Sequence, residues 1–183
     1  MYGRARRRAA AVLARDVEAF AGSGYGPTGR RGELTARLAG EGKPPLRLSL
    51  VPTGGRIFGG TFALEVATGE PVLPATRGLV ARGHGVVRLR GIGFRARSGD
   101  GAGARIADRL AADPDLARAL SSVHFERIRV DPDGRAVIRH MGGALVWLLF
   151  PPMARPVPLS PEQARATVRA LRAFANAGRR LSG

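Results

Sequence analysis

Cysteine is absent from this chain, which excludes disulfide staples, thiolate metal sites, iron–sulfur clusters and a cysteine nucleophile together. Lysine is nearly absent as well: of 30 Lys and Arg residues, Lys43 alone is lysine. Acidic residues number 14, which leaves a net charge of +16. Aromatics make up 5% of the residues, few for a protein that would stack single-stranded bases on its surface. Long hydrophobic runs are missing too. The longest, residues 142–153, is far shorter than the roughly 20 apolar residues of a membrane-spanning helix, and Pro151 and Pro152 interrupt it. Behind the basic segment Arg4-Ala-Arg-Arg-Arg8, an apolar stretch is broken by Arg15, Asp16 and Glu18, so no export signal forms there.

What is present is arginine. Its planar fork grips carboxylate and phosphate through paired hydrogen bonds and keeps its charge, whereas lysine acts as a point charge. The chain is also crowded with Ala, Gly and Pro, the composition of a GC-rich coding sequence that replaces lysine by arginine. Codon bias accounts for the missing lysine but not for an excess of 30 bases over 14 acids. With 183 residues, 44% of them hydrophobic, the chain has the length and the apolar content for one domain with a sizeable core.

Hydrophobic periodicity predicts the elements. Ala9, Leu13, Val17 and Phe20 recur at helical spacing, so residues 4–20 form a first helix that Gly22 and Gly24 end. Arg4, Arg6, Arg7 and Arg8 oppose the positive end of its dipole, which predicts that residues 1–8 fray into a mobile basic arm. Residues 26–45 read as a long Gly- and Pro-rich loop with at most one helical turn near Leu34 to Leu38, and residues 46–51, 56–67 and 86–97 as strands. Ile106, Leu110, Leu116 and Leu120 then mark helix up to residue 122. Asp113-Pro114 interrupts it, as two abutting helices or as one kinked helix. Residues 125–130 and 135–140 form a hairpin about Asp131-Pro-Asp-Gly134, and residues 144–150, apolar on both faces, form a central or doubly covered strand. Residues 150–158 read as a stiff extended connector. A closing helix starts at Ser160 as N-cap, with Pro161 in its first position, Gln163 completing a capping box and Leu159 as a staple. The expected architecture is α+β: one domain over residues 1–183, a mostly antiparallel sheet with helices on one face, in an order compatible with a pseudo-duplication.

Three groups of residues suggest chemistry. In the closing helix Arg165, Arg169 and Arg172 share one side, extended by Arg179 and Arg180, a ridge that could follow a phosphate backbone or serve as an ordinary solvated face. Gly99-Asp-Gly101-Ala-Gly103-Ala104 formally matches the G-x-G-x-x-A variant of the dinucleotide fingerprint, although no parallel βαβ unit surrounds it. In the hairpin, closure about Pro132-Asp133 would set Glu126 opposite Arg139 and Phe125 opposite His140, with His124 and Glu126 on one face. His124, Glu126 and His140 are thus candidate acid/base residues, or members of a cross-strand ion pair. His84, His124 and His140 are too scattered for a metal motif, so no metal site and no cofactor is expected.

Residues 88–176 resemble a bacterial family of small proteins known only as a domain of unknown function. The resemblance is carried especially by Val146-Trp-Leu-Leu-Phe-Pro-Pro-Met and Val157-Pro-Leu-Ser-Pro-Glu-Gln163. It implies no activity and no site residues.

The expected function is that of a non-enzymatic binder whose arginine surface takes an anionic partner, nucleic acid or an acidic protein. Two alternatives are an enzyme or small-ligand binder with a pocket between sheet and helices, using His124, Glu126 or His140, and membrane-surface association through the basic first helix. A cytoplasmic bacterial protein without a transmembrane segment is expected, and a homo-oligomer is compatible with the sequence.

Overall fold

The computed structural model describes residues 2–54, 59–84, 91–148 and 153–182. Its elements are α1 (Tyr2–Ala21), β1 (Gly26–Gly32), β2 (Thr35–Gly40), β3 (Lys43–Thr53), β4 (Gly59–Thr68), β5 (Leu79–His84), β6 (Gly91–Ala96), α2 (Gly101–Ala111), α3 (Pro114–Ser121), β7 (Phe125–Val130), β8 (Ala136–His140), β9 (Ala144–Leu148), β10 (Met153–Val157) and α4 (Pro161–Ser182). The strands join one ten-stranded antiparallel sheet, in the order β1-β2-β3-β4-β8-β7-β5-β6. β4 is the branch point. Its residues 65–67 pair with β8 and its residues 59–62 with β9, which carries β10 beyond it.

The two-residue period of the strands places the core. Leu46, Leu48 and Leu50 of β3, Phe62, Leu64 and Val66 of β4, and Ile128 and Ile138 of β7 and β8 all enter one buried cluster with Leu13 and Phe20 of α1 and Leu171 and Phe174 of α4. Ala63 and Val137, of the opposite parity, are buried but stand outside that cluster. The helices therefore lie on one face, and the fold is α+β as the periodicity predicts. α1 opens the first half of the chain while α2 and α3 interrupt the strands of the second, so the two halves follow different element orders.

Residues 2–8, expected to fray into an arm, belong to α1. Ala5 and Ala9 are buried in the core and Arg6 pairs with Glu33 at 2.8 Å, contacts that hold the first turns against their unfavourable dipole charge. Residues 26–45, expected as loop, form β1, β2 and the start of β3. Burial of Ala36 and Leu38 around exposed Arg37 supplies the strand period that the glycines and prolines obscured. β5 was not foreseen. Of the strand expected at 86–97, β6 covers Gly91–Ala96 and residues 86–90 lie outside the described residues, as do 56–58 of the strand expected at 56–67 and 149–150 of the one expected at 144–150. β9 has strand neighbours on both sides, yet its outward residues Val146 and Leu148 are exposed. In the expected connector, residues 153–157 are the edge strand β10, where the missing N–H of Pro156 is tolerated.

Asp113 divides the expected helix into two. Its carboxylate accepts from the N–H groups of Asp115 and Leu116, both at 3.0 Å, and Pro114 opens α3. At α4, the Ser160 hydroxyl caps the Gln163 N–H at 3.2 Å. The other half of the predicted capping box is not made. Gln163 instead accepts from His124 N–H at 2.7 Å and donates to Ser122 O at 3.3 Å, tying α4 to the α3–β7 connection.

Candidate anion-binding surface

α4 buries one side, including Thr167, Phe174 and Gly178, against the sheet, α1 and α3. At about 100° per residue, Arg165, Arg169, Arg172, Arg179 and Arg180 fall within an arc of about 100° on the opposite side. All five are exposed. Arg165 and Arg169 have no carboxylate partner among the described residues. Burial raises the pKa of the Tyr25 hydroxyl, and Arg172 beside it acts in the lowering direction. Arg179 donates to Asn176 on the same helix, and Arg180 is paired with Asp113. Arg165, Arg169, Arg172 and Arg179 thus form an open line of guanidinium groups about 20 Å long at 1.5 Å rise per residue.

A second cluster lies on the outward face of the sheet, around Glu65 of β4. Arg129 of β7 reaches it with two bonds of 2.6 and 3.0 Å, and Arg139 of β8 with two of 3.0 and 2.7 Å. Arg129 also holds Asp131 at 2.7 Å. Burial alone would push the Glu65 carboxyl up, but the two guanidinium groups more than offset it and hold it below its ordinary value. Both oxygens of Glu65 are occupied, so this cluster is a clamp across β4, β8 and β7 with no free base. Glu65 was legible only as a lone acid in an apolar strand.

The hairpin residues separate. Phe125 is opposite His140 as the turn predicts, but a bulge at Glu126 puts Arg127, not Glu126, opposite Arg139. Glu126 remains near Arg139, at 3.6 Å and exposed, and His124 is exposed too. His140 points into the core instead. There the Thr167 hydroxyl donates to Gln163 O at 2.7 Å, so His140 Nε2, 3.0 Å from that hydroxyl, is the donor to it. His140 Nδ1 is left as a buried acceptor without a partner. Burial, with His124 as the lesser cause, pushes the His140 pKa down to about 4, so the ring is neutral at pH 7. Four pockets beside α1, α2 and α4 are lined, among the described residues, by side chains other than these three. Among the described residues, no three His, Asp or Glu side chains converge as metal ligands.

The glycine segment before α2 has a local explanation. Asp100 caps α2 by accepting from Gly103 N–H at 2.8 Å, and also accepts from Arg77 N–H at 2.8 Å. A Cβ at Gly103 would meet the Asp100 carboxylate at 2.3 Å, and Gly99 turns with φ +77°. The carboxylate thus fills the position that a phosphate would take, in a sheet whose pairings are all antiparallel.

Sequence reasoning also missed the sheet-face arginines Arg37 and Arg47, which are cross-strand partners and both exposed. Alternation with Ala36, Leu38, Leu46 and Leu48 carries that signal. In α1, Ala5, Ala9, Val12, Leu13, Val17 and Phe20 are packed in the core. No helix among the described residues is long and apolar enough to cross a membrane.

No curated protein and no solved structure matches the chain. Residues 30–177, from β1 into the last turns of α4, match the model of a family described as a protein of unknown function, DUF3156, and the chain belongs to that family.

Proposed function

We propose that this protein is a non-enzymatic binder of an anionic polymer, nucleic acid foremost, held by the arginine ridge of α4. One observation carries the reading: Arg165, Arg169, Arg172 and Arg179 stand exposed along one helix face, and none has a carboxylate partner among the described residues. A straight row of fixed cations suits a ligand with regularly repeated charge, and each phosphate it neutralises releases counterions. The scarcity of aromatics directs recognition to the backbone of the polymer more than to its bases. An acidic protein segment is the other partner that such a row would take.

The test is a fluorescence-anisotropy titration with single-stranded DNA, duplex DNA and RNA over a salt series, with heparin as a charge-only competitor. Binding of one nucleic acid that survives near-physiological salt and resists heparin supports the proposal. Failure of every probe to bind near physiological salt, or binding that replacing Arg165, Arg169 and Arg172 by Gln leaves unchanged, contradicts it.

A further inference from the structure

α1 and the β9–β10 edge of the sheet enclose a trench that the α4 ridge does not touch. Two adjoining cavities make it, of about 130 and 250 Å³, sharing Arg8 and Ala154 in their walls. Its floor is apolar: Leu145 and Trp147 of β9, with Ala154 and Pro156 of β10 along one side. Its other side is α1, which contributes Arg4, Arg8 and Arg15. At about 100° per residue these three arginines lie within an arc of about 40°, and Arg4 and Arg15 are about 16 Å apart along the axis. All three are exposed, none has an ion-pair partner, and no carboxylate lines the trench among the described residues.

The combination is selective. The apolar floor gains nothing from inorganic phosphate or a polymer backbone, and the arginine rim gains nothing from an uncharged hydrocarbon. A ligand that satisfies both has an anionic end and a narrow apolar body. The first turn of α1 contains no acid, so Arg4 and Arg8 stand unrelieved near the positive end of the helix dipole, and an anionic group would offset that charge. We propose that this trench binds a free single-chain anionic amphiphile, an alkyl chain ending in a carboxylate or phosphate. Its chain lies on Leu145 and Trp147, and its head is held by Arg8 between Arg4 and Arg15.

Trp147 is the one tryptophan of the chain, and it lines the trench, so the protein carries its own reporter. The whole protein is titrated with dodecanoate brominated on its tail, below the concentration at which it forms micelles, and Trp147 fluorescence is followed. Parallel titrations use a brominated dodecanol, inorganic phosphate and vesicles of anionic phospholipid brominated on its chains. The expected result is saturable quenching by the bromododecanoate, weakened about tenfold in Arg8→Gln, the loss of one charge-assisted contact. Ala154→Leu, which fills the trench without altering charge, should weaken it too. Replacing Arg165, Arg169 and Arg172 by Gln should leave it unchanged, which separates this proposal from the α4 reading. Quenching that is equal for the alcohol, indifferent to Arg8→Gln, or seen only with vesicles overturns it.

Discussion

Two buried titratable residues pull the stability of this protein in opposite directions. Asp16 of α1 is pushed up to about 7 by burial, partly countered by the Leu159 N–H at 3.4 Å, and its second oxygen has no partner. A raised carboxyl contributes stability that is complete below its unfolded value near 4 and is lost as pH rises through 7. His140 is depressed to about 4. Its contribution is present above its unfolded value of about 6.5 and is lost as pH falls through 4. Between about pH 4 and 6.5 the two slopes, each about 1.4 kcal/mol per pH unit, cancel. Asp16→Asn removes one of them. We predict that this variant gains stability over the unaltered protein as pH rises from 4, reaching about 4 kcal/mol near pH 7, as read by denaturant melts across the pH range. A difference that does not change with pH would contradict the assignment. Glu65→Gln leaves Arg129 and Arg139 with a neutral partner. It should cost about 2–3 kcal/mol, less than a fully buried pair because both arginines are partly exposed.

At the scale of elements, α4 docks by close approach. The backbone of Gly178 lies so near the segment before β5 that a Cβ there would fall 1.7 Å from Val72 O. Gly178→Ala should separate α4 from that segment and lower stability by about 1–3 kcal/mol, measured by thermal or denaturant unfolding. How far such elements were legible depended on whether their signal was local. The caps at Asp113 and Ser160 act within one turn of their own chain, and the sequence displays them. The core stripes of α1 and α4 are likewise periodic enough to read. β1 and β2 are not, because glycine-rich segments become strands only when a neighbour and a covering helix are supplied from elsewhere in the chain. The bulge at Glu126 shifts the register by one residue, which no turn chemistry announced, and it undid the expected Glu126–Arg139 cross-strand pair. Of the candidate sites, the α4 ridge was readable because it follows one helix. The Glu65 clamp and the α1–β10 trench join residues far apart in sequence, so only the fold brings them together.

For the whole molecule, a net charge of +16 means that folding gathers like charges. Several ion pairs offset part of this, but Arg37 and Arg47 face each other across β2 and β3, and the α4 ridge stays open. Added salt should therefore raise the melting temperature at neutral pH by screening repulsion, the opposite of a fold held by surface ion pairs. The measurement that tests the central claim most directly compares nucleic-acid binding by the unaltered chain and by the Arg165→Gln, Arg169→Gln, Arg172→Gln variant across one salt series. The α4 ridge predicts weaker binding and a slope of log K against log salt that is shallower by about 1 for each arginine replaced. An unchanged affinity and slope in the folded variant would contradict it.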